Sequence, residues 1–170
     1  KIKDIDKAIE YYIEGIKYSE LSSHKYRKLY QLGVFYTKVN NNEKAIESFD
    51  KCLENKPGYT KAMFEKSKIF RSTGDIDTAR LLLRQCIDID PAYSKPYEEL
   101  MDMEIDSKNY DEAIMYGEMC LEFNPAAYTV KMRFAKLYND SKNYKEAKKY
   151  AKQAISDNRK YSAAYYELAI

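Results

Sequence analysis

The sequence has little of what most catalytic and metal sites are built from. His24 is the only histidine among 170 residues, which excludes a histidine-based catalytic triad or a multi-histidine metal site within this chain. The three cysteines lack the close C-x-x-C spacing of a zinc site, and the five glycines form no phosphate-binding loop. We therefore expect a chain that is not an enzyme, with no catalytic residue, no metal and no cofactor.

Long apolar runs and a charge of one sign are also missing. No run of about 18 apolar residues is present, so we expect no insertion into a membrane. Lys and Arg number 29 against 27 Asp and Glu, a balance that lacks the electrostatic footprint of a nucleic-acid-binding protein. The eighteen tyrosines would fit stacking on bases. A structural role is nevertheless expected for those at apolar positions of a regular pattern, which are Tyr36, Tyr97, Tyr138 and Tyr165.

What the sequence does have is a repeat of 34 residues. Alanine returns at that interval at four places, and proline and cysteine each return at three. These residues are Ala45, Ala79, Ala113 and Ala147, then Pro57, Pro91 and Pro125, and finally Cys52, Cys86 and Cys120. A fixed period of this length indicates a stack of supersecondary units, each of which buries its apolar face against its neighbours.

Each repeat has the pattern of two short helices. Apolar and small residues follow helical spacing from Tyr26 to Tyr36, and the turn-forming run Asn40–Asn42 interrupts them. A second periodic run extends from Ala45 to Leu53 and ends before Pro57. Neither helix is long enough to be stable alone in water, so the pairs must stack. The recurring alanines fit close helix crossings, and the cysteines, one repeat apart, are expected to be buried free thiols.

These features resemble the tetratricopeptide repeat (TPR) family. The second helices match its pattern best at Ala45, Phe49, Cys52 and Pro57, and the first helices at Leu29, Leu32, Gly33 and Tyr36. The resemblance implies an all-α fold, an α-solenoid in which stacked antiparallel helix pairs wind into a right-handed superhelix.

The resemblance covers residues 1–170 as a single array. It divides them into a partial repeat at 1–22, full repeats at 26–59, 60–93, 94–127 and 128–161, and a truncated repeat at 162–170. Because the sequence lacks an initiating methionine and starts inside a structural unit, we expect it to be part of a longer protein. The joint before residue 26 has extra residues and is expected to be looser or to carry a longer helix.

The repeat at 94–127 departs most from the others. Met101 stands where the other repeats have a small residue, Glu104 where they have an aromatic one, and Gly117 where a bulky one is usual. Met101 and Gly117 form either a compensating exchange of sizes within one packing layer or ordinary drift in an imperfect repeat.

The resemblance also implies where a partner would bind. The first helix of each pair lines a concave inner face, and such faces commonly bind other proteins. The residues carried over to this peptide-binding groove are Arg27, Tyr30, Gln31 and Val34 in the first full repeat, Lys61, Phe64, Glu65, Lys68 and Arg71 in the second, Lys95, Glu98, Glu99, Asp102 and Asp106 in the third, and Met132, Arg133 and Lys136 in the fourth.

The groove has a pattern of its own. Tyr30, Val34 and Phe64 are expected to form an uncovered apolar patch, and an acidic step follows from Glu98 to Asp106. We predict an extended or helical partner segment with an apolar anchor near Phe64 and basic residues near the acidic step. The competing interpretation is a solvated face with ion pairs between adjacent repeats, such as one between Lys95 and Glu65.

One binding mode of the family is not expected. Some tetratricopeptide cochaperones hold a C-terminal carboxylate in a clamp of two lysines, two asparagines and an arginine. The matching positions hold Tyr30, Val34, Glu65, Lys95 and Glu99 in one register, and Phe64, Lys68, Glu99, Thr129 and Arg133 in the next. Because glutamate repels a carboxylate, a protein or peptide partner should bind by another mode.

Three functional interpretations remain. The leading one is a protein–protein interaction scaffold. The second is a regulatory or peptide-sensing region of a larger protein whose effector domain lies outside this sequence. The third is a self-associating module, since no polar capping helix follows the truncated repeat at 162–170. Free thiols fit a reducing compartment, so we expect the protein in the cytoplasm.

Overall fold

A computed structural model describes residues 2–18 and 24–158 of the chain. Within these ranges the backbone forms nine α-helices and no strand. The helices are Ile2–Lys17 (α1), Lys25–Lys38 (α2), Asn42–Asn55 (α3), Thr60–Thr73 (α4), Ile76–Ile89 (α5), Ser94–Asp106 (α6), Tyr110–Phe123 (α7), Tyr128–Asp140 (α8) and Tyr144–Asp157 (α9). The all-α fold with two helices per 34-residue repeat is therefore confirmed.

The turn inside each repeat is built the same way each time. One residue per turn has a left-handed backbone, with φ of 57°, 89°, 62° and 61° at Asn40, Gly74, Lys108 and Lys142 respectively. The next residue is the N-cap of the second helix. The side chains of Asn41, Asp75 and Asn143 accept a hydrogen bond from the backbone N–H three residues later. This cap and the backbone reversal together fix where each second helix begins.

The helices divide into two compact units after Asp90. In the first unit α2 pairs with α3 and α4 with α5, while α1 packs on α2 and α3 packs on α4. In the second unit α6 pairs with α7, α8 pairs with α9, and α7 packs on α8. Within each unit, consecutive helices pack side by side as an α-solenoid requires.

The repeated alanines and cysteines lie in the cores, as predicted. The alanines that recur every 34 residues are all buried. Cys52, Cys86 and Cys120 are buried and free, and the Cys86 Sγ donates to the Thr60 carbonyl oxygen at 3.4 Å. Burial raises the pKa of Cys86 to about 12 and the pKa of the other two thiols to about 11.

The departures at 94–127 turn out to be compensated. A Cβ built on Gly117 would lie 2.6 Å from the Phe134 ring and 3.0 Å from the Met101 sulfur, so the methionine occupies space that the glycine leaves open. Of the two interpretations, the exchange of sizes is the one that the packing supports. Glu104 is only 3% exposed, and its carboxylate accepts a hydrogen bond from the Asn109 side-chain amide at 2.9 Å.

In the first full repeat, the large and the small residue of the same packing layer are exchanged between the two helices. A Cβ on Gly33 would lie 2.5 Å from the Phe49 ring, so here the first helix has the small residue and the second the large one. Gly33 and Phe49 occupy the repeat positions of Met101 and Gly117. Each repeat therefore fills one layer to interior density by a different division of volume between its two helices.

The tyrosine prediction is confirmed for three residues. Tyr97 is fully buried and its hydroxyl donates to the Pro91 carbonyl at 3.1 Å, while Tyr36 and Tyr138 are half-buried. Tyr165, the truncated repeat at 162–170 and part of the joint before residue 26 lie outside the described residues. Among the helices that the structure describes, none has the length and apolar character needed to span a bilayer.

Candidate functional site

The groove residues of the first unit lie on α2 and α4. Exposed and half-buried side chains alternate along these helices. The exposed ones are Arg27, Gln31, Lys61 and Lys68, and the half-buried ones are Tyr30, Val34, Glu65 and Arg71. Arg27 and Lys61 have no ion pair within the part of the chain that the structure describes. This surface therefore carries exposed cations and a half-buried aromatic ring, Tyr30.

The expectation that Phe64 is uncovered is wrong. Its side chain is only 7% exposed, and the Lys68 ammonium lies 5.7 Å from the centroid of its ring. The stem of a lysine can cover apolar surface while its charge stays in water. The apolar part of this surface is therefore Tyr30 with Val34 and does not include Phe64.

Tyr30 belongs to an aromatic cluster that the sequence pattern did not reveal. Its ring lies 5.4 Å from the Tyr59 ring in an edge-on arrangement, and Tyr59 is in turn 5.0 Å from Tyr26. Burial raises the pKa of Tyr30 to about 12, so its hydroxyl remains protonated. The cluster joins α2 to the residue before α4, and no local motif predicts such contacts between residues 29 and 33 positions apart in the sequence.

Two cations border this aromatic cluster. The Arg27 Nε donates to the Tyr26 hydroxyl oxygen at 3.0 Å, and this hydrogen bond lowers the pKa of Tyr26. The Lys56 ammonium lies 4.8 Å from the centroid of the Tyr26 ring. A cation over a ring is an attractive arrangement that also leaves its charge available to solvent or to a partner. Positive charge and aromatic surface thus lie side by side at this end of the first unit.

The groove residues of the second unit form an ion-pair network between α6 and α8. The Arg133 Nη1 donates to Glu98 Oε1 at 2.8 Å, and its Nη2 donates to Asp102 Oδ2 at 2.6 Å. The Arg133 Nε donates to the other oxygen of Asp102, and the Thr129 hydroxyl donates to Glu98 at 2.6 Å. Arg133 of the neighbouring repeat thus partly neutralises the acidic step. For Glu98 and Asp102, this agrees with the competing interpretation, in which ion pairs join adjacent repeats.

The remaining groove residues of this unit differ in how much surface they offer. Met132 is buried, at 9% exposed, and presents little of its side chain. Glu99 is half-buried, whereas Lys95, Asp106 and Lys136 are exposed. The predicted list therefore mixes surface residues with residues that pack or pair inside the unit.

A metal centre was not expected from the sequence. Within the described ranges, no group of three or more His, Cys, Asp or Glu side chains is arranged to hold a metal ion.

Comparison with protein families gives matches over most of the chain. Two family profiles, both described as "Tetratricopeptide repeat", match it, one at residues 27–59 and 60–93 and the other at residues 104–169. A comparison with curated proteins finds no significant match.

Solved structures with the same fold cover nearly the whole chain. A crystal structure of MamA has a TM-score of 0.75 at 22% identity, over 94% of this chain and 92% of that one. A tetratricopeptide repeat protein from Parabacteroides merdae has a TM-score of 0.78 at 17% identity, over 98% of this chain and 65% of that one. YrrB, described as a TPR protein with an unusual peptide-binding site, has a TM-score of 0.70 at 13% identity, over 99% and 86% respectively. At these identities the likeness is one of fold.

Proposed function

Since the chain belongs to the tetratricopeptide repeat family, we propose that it is a protein-interaction scaffold that binds an extended or helical segment of a partner along the first helices of its repeats. The observation that carries this proposal is the surface on α2 and α4. There, the exposed cations Arg27 and Lys61 lie on the same helices as Tyr30, an aromatic ring that is held against Tyr59 and is only half covered. Rigid aromatic rings beside charged groups are the usual anchors of protein interfaces.

The charges of this surface indicate what the segment carries. Arg27 and Lys61 are exposed, and Lys68 forms an ion pair with Glu65 of its own helix, at 3.2 Å. An exposed pair of this kind contributes little and can be exchanged for a partner's carboxylate. Acidic residues of the segment therefore lie near Arg27 and Lys61, and an apolar residue packs on Tyr30 and Val34.

The second unit would bind the basic residues of the partner segment. Glu98 and Asp102 are already paired with Arg133, so a basic residue of the partner would have to displace that guanidinium to reach them. A partner's basic residue that replaced Arg133 would gain little binding free energy, because the bidentate ion pair that it breaks is already strong and only partly exposed. The partner's basic residues therefore lie towards Asp106, at the exposed end of the acidic step. YrrB, which shares the fold, is described as having a peptide-binding site, and this agrees with a peptide ligand here.

Charge reversal on the inner face tests the proposal. The variant Arg27→Glu/Lys61→Glu is used as bait in a native lysate beside the unchanged chain and a control, Arg84→Glu/Lys148→Glu. The control makes the same change of net charge on exposed residues of α5 and α9, outside the groove. A partner retained by the unchanged chain and the control but lost by the groove variant supports the proposal. Equal recovery by all three baits contradicts it.

A further inference from the structure

A pocket of about 360 Å³ lies between α7 and α8, apart from the predicted groove. The start of α7 contributes Tyr110, Asp111 and Ile114, and the end of α8 contributes Leu137, Tyr138 and Asp140. None of these residues belongs to the groove set, and we refer to the cavity as the α7–α8 pocket. Its volume is sufficient for one long side chain or a small organic ligand.

The walls of the α7–α8 pocket are apolar and aromatic. Ile114 and Leu137 supply aliphatic surface, and Tyr110 remains 49% exposed. Tyr138 is held by stacking on Tyr150, with ring centroids 5.7 Å apart and ring planes within 7° of parallel. A ring fixed in this way offers a ready face to a ligand without loss of conformational freedom on binding.

The tyrosine stack lies beside one cation, which is also paired with Glu146 at 2.9 Å. The Lys149 ammonium lies 5.2 Å from the centroid of the Tyr150 ring. This contact fits the negative electrostatic potential at the face of an aromatic ring. A second cation in the α7–α8 pocket would find the same kind of ring surface at Tyr138 and Tyr110.

Two carboxylates at the α7–α8 pocket have no counter-ion among the residues that the structure describes. Asp111 and Asp140 make no ion pair and no side-chain hydrogen bond with the residues that the structure describes, whereas Asp50 pairs with Lys66 and Asp157 with Lys131. Asp140 is the last residue of α8, and the last turn of that helix contains no basic residue. At Asp140 the negative end of the α8 dipole and the carboxylate therefore add, and both favour a cation, whereas Asp111 lies in the first turn of α7, at the positive end of that helix's dipole.

We propose that the α7–α8 pocket binds the side chain of an arginine residue of a partner protein. The aliphatic stem packs on Ile114 and Leu137, and the planar guanidinium stacks on tyrosine while its N–H groups donate to Asp111 and Asp140. Arginine fits this combination because its guanidinium is planar, weakly hydrated and able to donate to a carboxylate through two N–H groups. Lysine is a compact and strongly hydrated charge that uses neither the stacking surface nor the paired donors.

A nuclear magnetic resonance titration of the isotope-labelled chain tests this site directly. The probe is the capped tripeptide acetyl-Gly-Arg-Gly-amide, and the matched peptide contains citrulline, which has nearly the same shape and no charge. We expect saturable shifts centred on the pocket residues, with a dissociation constant on the order of 1 mM, as suits one side chain in a partly open site. The citrulline peptide should bind at least about tenfold more weakly, a difference of about 1.4 kcal/mol.

Variants of the chain separate the pocket from general charge effects. Asp111→Asn/Asp140→Asn should weaken binding of the arginine peptide at least about tenfold, because charge-assisted hydrogen bonds are lost. The control Asp77→Asn changes an acidic residue in the first turn of α5, the position that Asp111 has in α7. It should leave binding unchanged, and the spectrum of each variant shows whether the fold is retained.

Several outcomes would overturn the proposal. Equal binding of the citrulline peptide would mean that the carboxylates do not select the ligand. Equal binding of the corresponding lysine peptide would mean that the site does not read a guanidinium. Absence of saturable shifts, or shifts centred on α2 and α4, would show that the α7–α8 pocket is not the site. None of these results bears on the inner face, because the two surfaces share no residue.

Discussion

At the scale of single residues, the turn inside each repeat places one residue in a left-handed backbone. Glycine adopts this conformation without strain and asparagine tolerates it, so Gly74 and Asn40 fit their positions. Lys108 and Lys142 occupy the same turn position with positive φ and without either advantage. The repeat thus retains its turn geometry at some cost in stability in its third and fourth copies.

We predict that Lys108→Gly stabilises the protein. The left-handed conformation costs a residue with a Cβ roughly 1–2 kcal/mol, and the greater freedom of glycine in the unfolded chain offsets part of the gain. The free energy of unfolding should rise by about 0.5–1 kcal/mol in urea denaturation followed by circular dichroism. Lys108→Ala, which keeps the Cβ, should give no increase. A decrease with the glycine variant would mean that the Lys108 side chain stabilises the turn.

Close packing at Gly117 gives a second residue-scale prediction. Gly117→Ala improves helix propensity by about 1 kcal/mol, but its Cβ would lie 2.6 Å from the Phe134 ring. Overpacking costs about 1–3 kcal/mol, so we expect a net loss of stability. The control Gly58→Ala adds a Cβ whose nearest neighbour is Ile89 at 3.7 Å, and it should be close to neutral. Equal stability of both variants would mean that the ring moves aside.

The burial of the three thiols makes the stability of the folded chain depend on pH. The folded chain holds the thiol protons of Cys52, Cys86 and Cys120 up to a pKa of about 11 to 12, against an ordinary value of about 9. Because the folded state binds more protons above about pH 9, this contribution to stability is complete below that pH and is lost as the pH rises through 11.

Reactivity follows from the same burial. A disulfide reagent at about pH 8 should modify the three thiols readily in urea and only very slowly in the native chain, because the thiolate is the reactive form. The absorbance of the released reagent measures both rates. Equal rates in the native and the unfolded chain would contradict burial of the thiols.

At the scale of helices, Arg133 ties α8 to α6 across two consecutive repeats. Its removal leaves Glu98 and Asp102 with side chains only 30% and 25% exposed and without their shared partner. We expect Arg133→Ala to lower the free energy of unfolding by about 1–2 kcal/mol, a moderate value because the site is partly open to solvent. Lys136→Ala on the same helix removes an exposed cation that makes no ion pair with the described part of the chain, and it should change stability by less than about 0.5 kcal/mol.

The difference in stability between Arg133→Ala and Lys136→Ala, measured at low and high salt, tests this prediction. A loss with Arg133→Ala that shrinks in high salt supports an electrostatic tie between the repeats, because ions screen partly exposed charges. Equal effects of the two variants would mean that the network contributes nothing to the cohesion of the second unit.

The helices themselves could be predicted from the sequence, whereas several contacts between them could not. The 34-residue period, the asparagine turns and the prolines located every helix pair, since these are local or periodic signals. The degree of burial of side chains that share one repeat position could not be predicted. Position 5 of the repeat contains half-buried Tyr30 and Glu98 but also buried Phe64 and Met132. The degree of burial depends on side-chain length and on neighbours that differ from repeat to repeat.

The α7–α8 pocket had no sequence signal either. Tyr110 and Asp140 are separated by most of a repeat, and each alone is an ordinary surface residue of its helix. The packing of α7 on α8 brings Tyr110 and Asp140 to the same cavity, and no periodicity in the sequence predicts this contact. The groove list shared this limitation, because it could name Arg133 and Asp102 but not their pairing.

At the scale of the whole molecule, the two units present surfaces of different chemistry. The first unit presents cations and a held aromatic ring on its first helices. The second unit pairs Glu98 and Asp102 with Arg133, and within the described ranges the carboxylates of its pocket make no ion pair. Under the proposed function, such distinct surfaces would discriminate between partner segments by charge as well as by shape.

Site-specific photocrosslinking is the most direct measurement of the central claim, that the inner face of the first helices is the binding surface. A photoreactive phenylalanine analogue replaces Gln31, an exposed residue of that face on α2, or Arg84, an exposed residue of α5 outside it. After irradiation in a native lysate, the account predicts that one partner segment is crosslinked from position 31 and none from position 84. Crosslinking from position 84 alone, from both positions equally, or from neither would contradict it.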